Sequence, residues 1–307
     1  MILRKPPYCR SSPCQLCESQ LAYLYYDLPA GKYVQCQECG LVSVDPLPEF
    51  DQLADRSVLW SSAHHTNPEK LRQHYSRDFQ AVAFGGFLDS IARYRQTGRL
   101  LDVGCGIGGF MDAARDRGWD VYGVDISPSV QVAKEHGLKA FQCQLSELEA
   151  EPYTFDVITM FDVIEHIVDL NSLFVDIRRF LRPAGGLLIV TPNLEALTSR
   201  LLRSRWFAVE PEDHPSLFTP ATLTRLLNRH HFTPVKIDTF DIDILALKSI
   251  FSTRRTFEDR QKRQKERRHL IGTLVSNPIL RRMRQLANIL LTSLRCGERL
   301  IVEARSN

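Results

Sequence analysis

Ten residues constrain this chain more than any others: Leu100-Leu101-Asp102-Val103-Gly104-Cys105-Gly106-Ile107-Gly108-Gly109. An apolar, strand-like run leads directly into four glycines. Glycine lets the backbone turn sharply and approach a ligand with no Cβ in the way. A helical pattern, Phe110–Arg117, follows at once. A strand, a glycine turn and a helix together open a βαβ unit, so the sequence predicts an α/β fold around a parallel sheet.

The following residues continue that alternation. Val121–Val124, Lys139–Gln142, Phe155–Met160 and Leu187–Thr191 read as further strands. Pro128 marks a helix start after Ser127, and Thr219-Pro220 marks another that runs to about Arg229. Leu170–Leu181 reads as an amphipathic helix ended by Pro183 and Gly185, and Val235–Phe240 and Leu300–Ala304 read as late strands. Residues 46–97 carry helical spacing around Leu71–Tyr94 and are expected to form a helical linker or lid. The domain reading is therefore 1–45, 46–97 and 98–307, with a basic helical insertion at about 245–296.

Charge narrows the ligand. Gly104, Gly106 and Gly109 satisfy a dinucleotide fingerprint, which fits several cofactors. Asp102 stands two residues before the first glycine, where a carboxylate opposes a pyrophosphate and suits a cationic ligand. Asp125 closes the next strand in Val124-Asp125-Ile126, at the place where a carboxylate accepts from ribose hydroxyls. Asp125 suits either cofactor, whereas Asp102 favours a positively charged nucleoside over NAD.

Near the start, Cys14-Gln15-Leu16-Cys17 and Cys36-Gln37-Glu38-Cys39 form two pairs. Four thiolates at this spacing suit one tetrahedral zinc between two knuckles of a ribbon. A closed four-thiolate site has no open position, so the Zn2+ expected there is structural.

These strings resemble the class I S-adenosylmethionine (SAM) dependent methyltransferases. Asp102-Val103-Gly104-Cys105-Gly106-Ile107-Gly108 resembles their first motif, and Val124-Asp125-Ile126-Ser127 their acidic second-strand motif. Phe155-Asp156-Val157-Ile158 through Val163-Ile164-Glu165-His166 is similar to their fourth-strand motif, and Leu181-Arg182-Pro183-Ala184-Gly185-Gly186 to the turn before their fifth strand. The resemblance implies a Rossmann-like, seven-stranded, mostly parallel sheet with helices on both faces. Its antiparallel strand is assigned to Leu300–Ala304. It also implies a SAM site. There Gly104 and Gly106 face the methionine part, Asp102 lies near its amino group, and Cys105 supplies the small side chain the loop needs. Asp125 holds the ribose and Ile126 packs on the adenine. Gln144 and Leu145 flank the adenine edge, and Phe161 and Asp162 stand beside the reacting methyl. With the zinc ribbon ahead of it, the chain resembles sugar and small-molecule methyltransferases of glycan and natural-product clusters.

Methyl transfer to a hydroxyl benefits from a general base, and histidine suits that role near neutral pH. His214 is the candidate, in Glu210-Pro211-Glu212-Asp213-His214-Pro215, with Asp213 or Glu212 to orient it. His166, beside Glu165, is expected to be structural. The position after the fourth strand reads Phe161-Asp162-Val163-Ile164 and lacks the Asn/Asp-Pro-Pro-aromatic tetrapeptide that grips a planar amino nitrogen. The expected reaction is therefore O-methylation of a sugar, a glycan or lipid precursor or a small metabolite.

The net charge of +3 hides an asymmetry. Lys248–Arg295 holds thirteen Lys or Arg against three Asp or Glu, so the rest of the chain is acidic. A nucleic-acid substrate is disfavoured, because Lys32 is the only basic residue between Cys14 and Cys39. An RNA methyltransferase and a noncatalytic SAM-binding protein remain the alternatives. Leu280, Met283, Leu286, Leu290 and Leu294 recur at helical spacing among arginines. Residues 279–294 are expected either to pack on the domain or to make a peripheral membrane contact. No run of eighteen apolar residues appears and Met1–Arg10 does not read as a secretory signal. A cytoplasmic location is expected, with the inner membrane face open.

Overall fold

The computed structural model describes residues 7–65, 68–241 and 292–307. The first strands, β1 (Pro7–Cys9), β2 (Leu21–Leu28), β3 (Gly31–Cys36) and β4 (Val42–Asp45), form an antiparallel meander. Helices α1 (Phe50–His65), α2 (Pro68–His74) and α3 (Arg77–Ile91) follow. The alternating region then runs β5 (Arg99–Val103), α4 (Gly109–Asp116), β6 (Asp120–Asp125), α5 (Val130–Glu135), β7 (Lys139–Gln142), β8 (Phe155–Phe161), α6 (Leu170–Phe180) and β9 (Leu181–Pro192). It closes with α7 (Leu197–Leu202), β10 (Ser216–Leu217), α8 (Pro220–Arg229), β11 (Phe232–Phe240) and β12 (Arg299–Ser306).

The large sheet has the order β11-β12-β9-β8-β5-β6-β7. Strands β7, β6, β5, β8 and β9 are parallel, and β12 lies antiparallel between β9 and β11. This is the seven-stranded sheet expected from the sequence. Its central strands β5 and β8 read as apolar runs because both faces are covered. Phe155–Met160 is buried throughout. Helix α6 shows how a covering element forms. Asp169 caps it by accepting from the Ser172 amide, and Leu170, Leu173, Phe174, Ile177 and Phe180 place one buried stripe against the sheet.

Three element boundaries differ from the sequence reading. Strand β9 begins at Leu181, directly after α6, where a loop through Gly185 was expected. Phe155 pairs with Leu181 and Val157 with Gly186, so 182–185 bulge out of register and the strand absorbs its proline and glycines. Helix α5 starts at Val130, two residues beyond Pro128, because the Ser127 amide donates to Asp125 Oδ1 (2.7 Å) and holds the turn open. Strand β11 starts at Phe232 because its pairing with β12 reaches Ser306.

The N-terminal meander is joined to the large sheet's connections. Strand β10 adds to β4, pairing Ser216 with Ser43 and Leu217 with Val42, and the Val44 amide donates to the Pro215 carbonyl (2.9 Å). Tyr33, Val42, Val44, Trp206, Val209 and Leu217 share one buried cluster. Among the described residues no helix is long and apolar enough to cross a membrane. The basic segment and most of residues 279–294 lie outside the described residues.

Candidate active site and metal centre

The C-terminal ends of β5, β6 and β8 carry the ligand-facing loops, as an open α/β sheet places them. After β5 the chain turns so sharply that the amides of Gly104 and Cys105 both donate to the Val124 carbonyl, at 2.8 and 3.1 Å. The Gly106 amide donates to Asp125 Oδ2 (2.8 Å), and the Ser127 amide to Oδ1 (2.7 Å). Asp125 thus ties the glycine turn to its own loop, a role the sequence did not disclose. Each carboxylate oxygen keeps a second lone pair for a ligand hydroxyl. Cys105 is buried, and only because residue 123 is glycine does its side chain fit: a Cβ there would lie 2.8 Å from Cys105 Sγ.

Asp102 is 3% exposed beneath this turn and accepts a hydrogen bond from Thr159 Oγ1 (2.7 Å). Burial pushes its carboxyl up to about 7, the Thr159 hydrogen bond pulls the other way, and the charge of Asp125 adds to the rise.

Beside Asp125 lies a cavity of about 220 Å³. Ile126, Gln142, Cys143, Gln144 and Glu147 line it from the sheet side, and Phe50 and Ala54 of α1 close it. Gln144 lines this cavity beside Ile126. Leu145 does not line the cavity; it is buried in the core at the start of a 3-10 turn. Phe50 and Ala54 carry no sequence signal, since nothing local shows that α1 folds back over β6.

At the end of β8, the Phe161 ring packs against Phe110 (4.6 Å between centroids) and against Phe87 of α3 (5.3 Å). Asp162 adopts a left-handed φ of 56° while its amide donates to the Val190 carbonyl (2.8 Å), and its carboxylate pairs with Arg299. This turn carries residues 163–166 across the C-terminal end of the sheet.

There Glu165, His166, Asp213 and His214 meet. Glu165 is 2% exposed and accepts from Thr191 Oγ1 (2.8 Å). His166 is half-buried; its Nδ1 donates to the Asp213 carbonyl (2.8 Å) and lies 3.3 Å from Asp213 Oδ1. His214 is 7% exposed; its Nδ1 donates to the Ala208 carbonyl (2.9 Å), and its Nε2 lies 3.6 Å from Asp213 Oδ2. The two rings meet edge to face at 4.7 Å. Asp213 thus stands between both histidines. Glu212 does not join them. It pairs with Arg56 of α1 (2.6 Å) at the surface, so the expected orienting role falls to Asp213 alone.

Electrostatics separates the four groups. Burial raises the Glu165 carboxyl to about 7, helped by Asp162. Burial disfavours charge on His166, yet the hydrogen bond and charge of Asp213 outweigh it and raise the ring to about 9. Burial and the neighbouring His166 charge lower His214 to about 4. Burial opposes ionisation of Asp213, but His166 outweighs it and holds the carboxyl near 2.

In the meander, one Sγ from each of Cys14, Cys17, Cys36 and Cys39 lies within 4.8 Å of the others. Cys14 and Cys39 sulfurs are 3.5 Å apart, and those of Cys17 and Cys36 3.4 Å. Zn–S bonds of ~2.3 Å give tetrahedral S···S edges of about 3.8 Å, so the donor set fits zinc. Arg225 of α8 donates to the carbonyls of Glu38 (3.1 Å) and Cys39 (2.9 Å), bracing the second knuckle from the catalytic half.

A mostly parallel sheet with a glycine turn after one strand and an acid closing the next is the Rossmann-like arrangement of nucleoside-binding folds. The chain belongs to the class I SAM-dependent methyltransferases: the family model described as a methyltransferase domain matches residues 64–237. The ubiquinone biosynthesis O-methyltransferase of Paracidovorax citrulli is 31% identical over 169 residues, covering 50% of this chain and 65% of that protein. The enzyme of the same name from Aeromonas salmonicida is 30% identical over 203 residues, covering 60% and 79%. The chain thus spans just under two thirds of the Paracidovorax relative. Among solved structures, phosphoethanolamine N-methyltransferase 2 of Haemonchus contortus in complex with SAM aligns with a TM-score of 0.52 at 20% identity, over 86% of this chain and 61% of that one. A SAM-dependent methyltransferase of Archaeoglobus fulgidus aligns with a TM-score of 0.50 at 20% identity, over 76% and 97%. Both share the fold.

Proposed function

We propose that the protein transfers the methyl group of SAM to a hydroxyl oxygen of a small molecule, and that Cys14, Cys17, Cys36 and Cys39 hold a structural zinc ion. The observation that carries the reading is the meeting of His166, Asp213 and His214 at the end of β8, next to Asp162. An oxygen nucleophile must lose a proton, and this cluster is the machinery for disposing of it. The relatives named as O-methyltransferases support oxygen as the acceptor atom.

In this reading Gly104 and Gly106 take the methionine part of SAM and Asp102 stands beneath its cationic groups. Asp125 accepts from the ribose, and Ile126 and Gln144 flank the adenine under Phe50. Phe161 and Asp162 border the methyl. The acceptor oxygen attacks the methyl carbon in line. A C–O bond forms and the C–S bond breaks, leaving its electron pair on sulfur as S-adenosylhomocysteine. The hydroxyl proton passes into the cluster of His214, Asp213 and His166 and on to water. Positioning carries most of the work, because the sulfonium is already a good leaving group.

The test uses SAM with a deuterated methyl and a panel of catechols, nucleotide sugars and hydroxylated acids, with products read by mass spectrometry. A labelled O-methyl product is expected, slowed at least about tenfold by His214→Ala with SAM affinity kept. Label on nitrogen or carbon, or turnover indifferent to His214, sinks the assignment.

Asp102 gives a pH prediction. Its carboxyl is raised to about 7 by burial, so the native state holds a proton that the unfolded state has lost. Its contribution to stability therefore falls between about pH 4 and 7. A cationic ligand favours the ionised form, so SAM binding expels that proton. SAM affinity should rise with pH through about 7, by up to about tenfold per pH unit. Calorimetry from pH 5.5 to 8.5 checks this, and Asp102→Asn should flatten the curve. A native enzyme already flat across that range means Asp102 does not sense the ligand's charge.

A further inference from the structure

We propose that a cationic pocket lined by Arg93, Tyr94, Gln96, Arg182 and Arg305 binds the phosphate group of a second ligand, at the end of the sheet opposite the glycine turn. Strands β8 and β9 begin at that end and β12 finishes there. The run of β9 from Gly186 to Pro192 sets the pocket about 20 Å from the SAM loop. Its cavity is about 390 Å³, and Ala184 and Val235 complete the lining. That is within the range of small-molecule sites, about 300–1,000 Å³. Methyl transfer uses none of these residues.

The wall of the pocket is built before any ligand arrives. Residues 182–185 bulge out of register in β9, and Ala184 takes a left-handed φ of 61°. A bulge re-aims the side chains it carries. Here it carries Arg182, whose Nε pairs with Asp156 Oδ1 (2.7 Å) while its Nη groups donate to the Tyr94 carbonyl (3.0 Å) and the Gln96 side chain. Asp156, fully buried, also accepts from the amides of Gln96, Thr97 and Gly98, each at 2.7 Å. One carboxylate thus fixes both the bulge and residues 96–98 around the cavity.

Three guanidiniums meet only two carboxylates there. Asp156 answers Arg182, and Glu303, 2% exposed, answers Arg93. Arg305 lies two residues beyond Glu303 on the same face of β12, is exposed, and has no ion pair or hydrogen bond among the described residues. One positive charge is left over. Arg93 uses one Nη on Glu303 and keeps N–H groups for a ligand. Tyr94 is buried, yet its hydroxyl has no partner among the described residues. A hydroxyl left so is costly, and an oxyanion accepts from it. The guanidinium fork matches phosphate geometry. Three separate donor groups, Arg93, Arg305 and Tyr94, suit the three terminal oxygens of a phosphate better than the two of a carboxylate.

The probe is inorganic phosphate, titrated by calorimetry into the full chain with SAM present, and one site with a Kd of about 1 mM or tighter is expected. Arg305→Gln should weaken it at least about tenfold. Arg305 holds no described partner, so the substitution should leave SAM affinity within about twofold. Tyr94→Phe should weaken phosphate at least about threefold without lowering Tm, because its hydroxyl makes no bond that folding needs. A purely structural tyrosine would not lose phosphate. These two variants also separate the pocket from the basic residues of 248–295. Sedimentation with phosphatidic acid vesicles, against phosphatidylcholine alone, identifies the source of the phosphate. Capture that free phosphate reverses and Arg305→Gln abolishes assigns a lipid headgroup; phosphate binding without capture assigns a soluble ligand. No phosphate binding by the native chain, or binding unchanged in both variants, overturns the proposal.

Discussion

Cys14→Ser is expected to abolish methyl transfer while leaving SAM affinity within about threefold of the native value, because the zinc ion proposed above would supply folding free energy to the ribbon and not to the cofactor pocket. Structural zinc contributes on the order of 10 kcal/mol to small ribbons, against a net stability of about 5–15 kcal/mol for a whole domain. At the knuckles the four ligands make up much of the local core beside Leu16 and Leu41, whereas the far end of the meander is held by Tyr33, Val42 and Val44 against Trp206 and Val209. Loss of the ribbon reaches the acceptor site by a short route. Tyr33, fully buried on β3, donates its hydroxyl to the His214 carbonyl (2.7 Å) and accepts from the Glu210 amide (3.2 Å). Strand β4 holds 215–217 through the pairing with β10. When these go, the loop carrying Asp213 and His214 loses its frame. The glycine turn and Asp125 are held by β5 and β6 and should persist. Chelation of the metal should give the same separation, and zinc should restore activity. Full activity in the zinc-free chain would mean that the ribbon does not frame the site; parallel loss of SAM binding would mean that it supports the whole fold.

The sequence discloses this arrangement unevenly, for a physical reason. Strands β5, β6 and β8 are apolar runs closed by glycine or acid, and both their order and the residues at their ends follow from local pattern. Asp102, Asp125 and Gln144 are legible because each lies at a strand end or just after one. The four cysteines are legible because metal geometry imposes their spacing. What joins distant segments is not written locally. Tyr33 meets His214 across 181 residues, and nothing around Tyr33 marks it. Glu212 and Asp213 look equivalent in sequence, yet the turn sends one to Arg56 at the surface and the other between two histidines. The pair Glu165-His166 reads as loop support until Asp162, in its left-handed conformation, is seen to turn it across the C-terminal end of the sheet opposite His214. Adjacent acid and histidine after the fourth strand was the available signal, and it acquires meaning only beside a second histidine.

Asp125→Ala should weaken SAM by at least about a hundredfold, the second large effect expected, because charged hydrogen bonds contribute about 1.5–3 kcal/mol each and this carboxylate makes several. Two are present without ligand, from the Gly106 and Ser127 amides. Their loss frees the glycine turn, so part of the cost is the ordering of that turn on binding. The remainder is the ribose, whose hydroxyls find the lone pairs left on the same oxygens. SAM and S-adenosylhomocysteine carry the same ribose and differ in the sulfonium charge. The substitution should therefore weaken both by the same factor, measured side by side by calorimetry at one pH. Asp102→Asn should likewise weaken both, since the amino group it is assigned to is common to the two. If Asp125→Ala weakens SAM far more than S-adenosylhomocysteine, Asp125 is reading the charge on sulfur and the ribose assignment fails. If it weakens neither, the clamp on Gly106 is dispensable and the turn is held by the bonds to Val124 alone.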